Sequence, residues 1–121
     1  MNNIVNAKIT GTRLGYEDHG ILTFALILEI QGGGGCRYGG VALDGYNKEL
    51  KKRIPTQRGF EAVAEVLKVV GVEKWEDLKG KYIRVEDTGW GSILDKIGNL
   101  MEDKWFSLKD HFAEQRKENE K

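Results

Sequence analysis

The stretch LGYEDHGILTFALILEIQGGGGCRYGGVALD, residues 14–44, decides the fold. Side chains of a β-strand alternate between two faces, so a strand with one buried face is apolar at every second residue. Turn-forming residues at 17–20 and four glycines at 32–35 bound such a segment, which predicts a hairpin connection on each side of it. The apolar positions of this predicted strand are Leu22, Phe24, Leu26, Leu28 and Ile30.

A second strand is predicted at residues 36–44, and it contains two adjacent glycines, Gly39 and Gly40. Glycine weakens a strand because it has no side chain to pack. Two adjacent glycines therefore predict a bulge, or the close approach of another backbone or of a ligand. A flexible loop at the four preceding glycines is the simpler alternative for that part of the stretch.

The rest of the chain predicts further strands at 4–14, 81–87 and 92–99 and a basic, irregular connection at 45–55. A helix is predicted from an N-cap at Thr56 to Gly71, and a second helix begins after a possible capping box of Ser107 and Asp110. This pattern predicts one α+β domain, residues 1–121, with an antiparallel sheet of five to six strands and two main helices. The apolar stripe of the first helix is predicted to be Phe60, Val63, Ala64, Leu67 and Val70.

Composition limits the classes of partner. The 19 Lys and Arg residues balance 19 Asp and Glu residues, so no overall field draws the chain to DNA or to a membrane. Any anion site must therefore be local. The single cysteine cannot form an intramolecular disulfide, and no signal sequence or run of about 18 apolar residues is present, so we expect a cytoplasmic protein.

The sequence predicts no catalytic residue, no metal site and no cofactor. Its two histidines and one cysteine lack zinc-site spacing, and no nucleophile-elbow, metalloprotease or phosphate-loop motif is present. His19 lies in a predicted turn beside Asp18 and is interpreted as closing the turn by a hydrogen bond, and His111 lies in a predicted surface helix. These observations favour a binding protein over an enzyme.

Candidate ligand-binding residues are planar rings, cations and polar side chains. A ring can stack on a base, Asn and Asp can bind its polar edges, and Arg can hold phosphate. The N-terminus of the first helix, with Arg58 in its first turn, is one candidate phosphate site, although the sequence alone favours an ordinary capped helix that packs on the sheet. Trp90, between two glycines, is either a lid for a planar ligand or a core residue. The candidates are Arg37, Arg58, Trp90, Asn99, Asp103, Phe106 and Arg116.

Four segments together resemble a known family. They are LGYEDHGILTF at 14–24, the glycine-rich stretch 32–44, GVEKWEDLKGK at 71–81, and IGN at 97–99 followed by DKWF at 103–106. In order and spacing they resemble the first type of Thoeris anti-defence protein, a phage family that sequesters signalling nucleotides. The family's usual Gln-Gly-Phe-Gly-Gly is replaced here by CRYGG at 36–40, which adds a cation and is expected to affect ligand preference.

The resemblance implies a non-enzymatic sponge in the cytoplasm of the infected bacterial host. Its ligand would be a cyclic ADP-ribose isomer made by a bacterial TIR-domain enzyme. The family assembles as dimers with pockets at the interface, and some members form hexamers that also hold cyclic di- or trinucleotides. An enzyme that cleaves the signal and a protein-binding inhibitor of a defence enzyme are the alternatives.

Self-association also follows from the affinity that such a sponge needs. A nanomolar dissociation constant corresponds to about −12 kcal/mol. A small ligand reaches this only when it is almost fully enclosed, which one thin sheet does not provide. We therefore expect a homo-oligomer in which a second copy completes the enclosure.

Overall fold

The computed structural model describes residues 3–17, 20–87 and 93–119, and at 3, 87, 93 and 114–119 it describes the backbone only. The predicted α+β class is confirmed. Two α-helices, α1 (Gln57–Val70) and α2 (Leu108–Asn119), and a short 3-10 helix (Trp75–Asp77) accompany the strands. The described strands are β1 (Asn3–Glu17), β2 (Ile21–Ile30), β3 (Gly35–Ala42), β4 (Asp44–Asn47), β5 (Lys52–Pro55), β6 (Tyr82–Asp87), β7 (Ile93–Leu94), β8 (Lys96–Gly98) and β9 (Trp105–Ser107).

Seven strands form the main sheet, in the order β7-β3-β2-β1-β6-β8-β9. Six of them, from β3 to β9, are antiparallel to their neighbours, and β7 adds to β3 in parallel. The predicted hairpin of β1 and β2 is confirmed, with Glu17 opposite Ile21. Strands β4 and β5 make a separate two-stranded sheet.

The main sheet is rolled. Strands β7 and β8 are separated by Asp95 alone, yet β7 lies beside β3 and β8 lies beside β6. Because consecutive Cα atoms are about 3.8 Å apart, β3 and β6 must approach each other through this segment. The Tyr38 hydroxyl on β3 donates to the Phe106 carbonyl on β9 across 3.2 Å, which joins two strands far apart in the sheet order. Burial, and to a lesser extent the Asp95 carboxylate, raise the pKa of Tyr38 well above its ordinary value, so the phenol stays a donor.

The alternation in β2 forms the centre of the core. Phe24, Leu26 and Leu28 are fully buried, and Leu22 and Ile30 pack against them with partial exposure. Trp75 contacts Phe24 edge-on, with 5.9 Å between ring centres. The inner face of the rolled sheet is therefore the apolar face that the sequence predicts.

The predicted stripe of α1 is wrong at Phe60, which is 78% exposed. The face of α1 that touches the sheet is instead centred on small and β-branched residues. Gly59 lets the helix approach the backbone at Leu43 closely, and this orientation turns the neighbouring Phe60 side chain towards solvent. The buried residues of α1 are Gly59, Ala62, Val66 and Val69.

Gly39 and Gly40 form the predicted bulge. Thr23 pairs with Ala42 but Ala25 pairs with Gly39, so β3 has one extra residue opposite β2. Both glycines have positive φ, +112° and +81°, which side chains disfavour. A Cβ on Gly39 would lie 2.5 Å from the carbonyl oxygen of Phe24, so the close backbone approach is also confirmed.

Two predicted segments differ from the structure. The connection at 45–55, predicted to be irregular, contains the β4–β5 hairpin, because Asp44 accepts hydrogen bonds from Leu22 N at 3.1 Å and from Arg53 Nη2 at 2.7 Å. The strand predicted at 92–99 divides at Asp95, since its two halves pair with different strands. Strand β9 was not predicted, and the predicted turn at 88–91 lies outside the described residues.

In the described part of the chain, no helix has the length and apolar character needed to cross a bilayer.

Candidate functional site

A cleft of about 500 Å³ lies between α1, the edge strand β9 and the first turn of α2. It is the place where two of the predicted ligand residues, Arg58 and Phe106, come together. Its lining combines cations, carboxylates, aromatic rings and a histidine. The lining residues are Arg58, Glu61, Glu65, Lys96, Trp105, Phe106, Ser107, Asp110 and His111.

The α1 side of the cleft is fixed by the start of the helix. Thr56 is the N-cap, as predicted, and its hydroxyl oxygen accepts from Gly59 N at 3.0 Å. The same hydroxyl donates to the Leu43 carbonyl at 3.2 Å, and a Cβ on Gly59 would lie only 2.6 Å from Leu43 Cα. The first turn of α1 is therefore held against the backbone at Leu43, which fixes the point from which Arg58 projects.

The α2 side is fixed by Asp95. Its carboxylate accepts from Ser107 Oγ at 2.7 Å and from Lys109 N at 2.8 Å. Ser107 Oγ in turn accepts from Asp110 N at 3.1 Å, which confirms its predicted role as a cap. Two amide groups in the first turn of α2 are thus already satisfied by Asp95 and Ser107.

His111 connects the two helices. Its Nε2 lies 2.9 Å from the carbonyl oxygen of Arg58. A carbonyl oxygen only accepts hydrogen bonds, so Nε2 carries the proton and donates it. The ring also meets Phe106 and Phe112 edge-on, at 5.4 Å and 5.0 Å between centres. The interpretation of His111 as a simple surface residue is therefore incomplete, because the ring lines the cleft and ties α2 to α1.

The charges of the cleft are mixed. Arg58 and Lys96 contribute two cations, and Arg58 Nη1 lies 3.6 Å from Glu61 Oε2. Glu65 forms its own pair with Lys68 at 3.3 Å. Guanidinium and ammonium groups can hold phosphate, whereas carboxylates accept hydrogen bonds from hydroxyl and amino groups. The lining is chemically suited to a ligand that carries anionic and hydroxyl groups together with a planar ring.

Trp105 is held rigidly at the edge of the cleft. A Cβ on Gly98 would lie 2.7 Å from its ring, so the indole rests directly on the backbone of β8. The guanidinium carbon of Arg84 lies 5.1 Å from the ring centre. Arg84 itself is anchored by donating to the carbonyl groups of Asn99 and Glu102, each at 2.7 Å. The indole is thus held between the backbone of Gly98 and a fixed cation that lies over the ring.

Asn99 has a clear structural role. Its Nδ2 donates to the Val69 carbonyl at 2.9 Å, and its Oδ1 accepts from Met101 N and Glu102 N at 2.9 and 2.8 Å. The amide therefore fixes the turn between β8 and β9, where Asp103 is exposed. Both residues lie outside the lining of the cleft, and their predicted contact with ligand stays a prediction.

The other predicted site residues are dispersed or not described. Arg37 is exposed on β3 and does not line this cleft. Trp90 lies outside the described residues, and only the backbone of Arg116 on α2 is described. Sequence reasoning missed His111 as a site residue; it counts Lys96 and Trp105 among the cations and rings able to bind a nucleotide but does not select them. Helical spacing does place Glu61 and Glu65 on the same side of α1 as Arg58, and that signal was available.

Two further clefts are present in the described part of the chain. One, of about 440 Å³, lies beside the glycine turn and includes Asn6, Lys8, Gln31 and Tyr82. The other, of about 520 Å³, lies along residues 71–81. Among the described residues, no group of three or more His, Cys, Asp or Glu side chains is placed to hold a metal ion. Neither cleft contains a residue predicted from the sequence to bind ligand.

No protein-family model, curated protein or solved structure matches the chain.

Proposed function

We propose that the protein is a phage-encoded sponge that binds a cyclic ADP-ribose isomer and sequesters it without degrading it. Its place of action would be the cytoplasm of the infected bacterium. The observation that carries the proposal is the cleft in which Arg58 and Phe106 meet Lys96, Trp105 and His111. The resemblance of four segments of the sequence to the anti-defence family supports the same function.

The chemistry of such a ligand suits this lining. Cyclic ADP-ribose contains a pyrophosphate, an adenine ring and ribose hydroxyl groups. Arg58, which also pairs with Glu61, and Lys96 are cations of the lining that can hold the pyrophosphate, and Trp105 supplies a ring to the same lining. The carboxylates of Glu65 and Asp110 can accept hydrogen bonds from ribose hydroxyls. A volume of about 500 Å³ also falls in the range of small-molecule sites.

The proposal includes a homo-oligomer, either a dimer or a trimer of dimers. Strand β9 ends the main sheet, so one side of its backbone has no neighbouring strand among the described residues. This open side belongs to the strand that supplies Trp105, Phe106 and Ser107 to the cleft. A second copy placed there would enclose the ligand and supply the burial that tight capture needs.

A capture-and-release experiment distinguishes the proposal from its alternatives. The protein is mixed with a cyclic ADP-ribose isomer, freed of unbound nucleotide and then heat-denatured, and the released compound is identified by mass spectrometry. We expect the unchanged nucleotide, at a fixed ratio to protein chains. Release of ADP-ribose would instead favour an enzyme that cleaves the signal. Absence of any bound nucleotide, with a stable complex on a defence enzyme, would favour the protein-binding inhibitor.

The Arg58→Ala variant tests the location of the site. A charge-assisted hydrogen bond to phosphate contributes about 1.5 to 3 kcal/mol, so we expect affinity to fall about tenfold to a hundredfold in isothermal titration calorimetry. Lys68→Ala is the matched control, because Arg58 and Lys68 each pair with a glutamate three residues away on α1. Lys68 does not line the cleft, so its removal should leave affinity within about twofold. Equal losses in the two variants would refute a phosphate contact by Arg58.

A further inference from the structure

The hydrogen bond of His111 determines which ring nitrogen can gain a proton. Nε2 already donates to the carbonyl oxygen of Arg58, so in the neutral ring Nδ1 carries the lone pair. Protonation at Nδ1 adds a positive charge and leaves the Nε2 hydrogen bond in place. His111 can therefore change charge without loss of the contact that holds α2 against α1.

The charged groups that share the cleft with His111 are compatible with an added positive charge on its ring. The charged groups that line the cleft together with His111 are Arg58, Glu61 and Glu65 on α1, Lys96 on β8 and Asp110 on α2. Strand β9 contributes residues 105–107 to the lining, none of which titrates near neutral pH. Of the described charged groups in the cleft, three are carboxylates and two are cations. An anionic ligand makes this environment more negative, and a negative environment favours the imidazolium.

We propose that His111 takes up a proton when a phosphorylated ligand enters the cleft, so that ligand binding strengthens as the pH falls. The inference rests on the proposed function, since it requires a phosphorylated ligand in this cleft. The coupling is reciprocal: the factor by which the ligand increases proton affinity at His111 is the factor by which the protonated protein binds the ligand more tightly. His111 is thus a regulatory residue of the site as well as a link between helices.

The test is calorimetric titration with cyclic ADP-ribose at pH 5.5 and 7.5, at one ionic strength and in two buffers of different ionisation enthalpy. The pyrophosphate is ionised throughout this range, so the buffer dependence of the heat reports protons taken up by the protein. We expect binding about tenfold tighter at the lower pH, because one charge pair inside a cleft is worth about that factor. Net proton uptake on binding should lie between zero and one.

Two variants assign the effect. The side-chain amide of Gln can reproduce the Nε2 donor but cannot be protonated, so His111→Gln should bind with nearly the same affinity at both pH values. His19→Gln removes the other histidine of the chain and should keep the full pH dependence. If His19→Gln abolishes the dependence and His111→Gln does not, the assignment to His111 is overturned. Circular dichroism of each variant establishes that it is folded.

A measurement on the unaltered protein covers the case in which His111→Gln does not fold. The ring C–H resonances of His111 are followed by NMR at pH 7.0 while cyclic ADP-ribose is added. We expect them to move towards the positions of the protonated ring. Binding with no such movement, and with equal affinity at both pH values, refutes the inference and leaves the proposed function intact. No binding at either pH refutes the proposed function itself.

Discussion

The substitution Gly59→Ala tests the contact that sets the position of α1. A Cβ at this position would lie 2.6 Å from both the carbonyl carbon and the Cα of Leu43. Carbon atoms in contact are normally at least about 3.5 Å apart, so the helix start or the Leu43 backbone would have to move by about 1 Å. The Leu43 carbonyl accepts from Thr56 N at 3.1 Å and from Thr56 Oγ1 at 3.2 Å, which opposes that movement.

The expected cost follows from three effects. Overpacking costs about 1 to 3 kcal/mol, and the strained Leu43–Thr56 hydrogen bonding costs about 1 kcal/mol more. Alanine has a higher helix propensity than glycine, which offsets about 1 kcal/mol of this loss of stability. We therefore expect Gly59→Ala to lower the free energy of unfolding by about 2 kcal/mol. Because Arg58 is the adjacent residue, ligand affinity should fall as well.

Urea denaturation followed by circular dichroism measures this loss. Gly15→Ala is the matched control, since a Cβ there meets nothing within 4 Å, and it should change stability by less than about 0.5 kcal/mol. The opposite outcome is informative. If Gly59→Ala were neutral or stabilising, as helix propensity alone predicts, α1 would not lie against Leu43 and the geometry of the cleft would be wrong.

Two further substitutions test the polar contacts. Asp44→Asn removes charge-assisted bonds to Arg53 and should cost about 1 to 2 kcal/mol at pH 7 in urea denaturation. The hydrogen bond from Arg53 lowers the pKa of Asp44. The difference in free energy of unfolding between wild type and Asp44→Asn should therefore be complete above about pH 4 and shrink as the pH falls through the folded-state pKa. A difference that grows in acid would contradict this. Asn99→Ala should cost about 1 to 2 kcal/mol and speed hydrogen exchange at 100–104, with Asn99→Asp intermediate because it keeps the two accepted bonds. A stable Asn99→Ala protein would refute the structural role, and one with unchanged ligand affinity would remove Asn99 from the predicted contacts.

Sequence patterns correctly predicted the elements that depend on residues close together in the chain. The alternation in β2 and the cap at Thr56 depend on neighbours in sequence, and the structure confirms both. The failure at Phe60 has a different cause. Hydrophobic periodicity gives most weight to large rings, whereas α1 faces the sheet with Gly59 and Ala62, because small residues allow the closest approach.

Non-local contacts explain what the sequence could not predict. The β4–β5 hairpin is held by Asp44, whose partner Arg53 is nine residues away. The bond from His111 to Arg58 spans 53 residues, so no spacing rule places the histidine in the cleft. Residue type, and for Arg58 also its place at the start of a predicted helix, selected Arg58 and Phe106 as candidates, whereas rolling of the sheet and docking of α2 bring them to one cleft.

The most direct test of the account is an NMR map of ligand binding. A cyclic ADP-ribose isomer is added to ¹⁵N-labelled protein, and the amide resonances that move are assigned. We predict that they cluster at residues 57–61, 96–98 and 105–111, around the cleft between α1, β9 and α2. Changes centred on residues 6–8 and 29–33, beside the glycine turn, would place the ligand in a different cleft and contradict the account, as would a spectrum that no cyclic nucleotide alters.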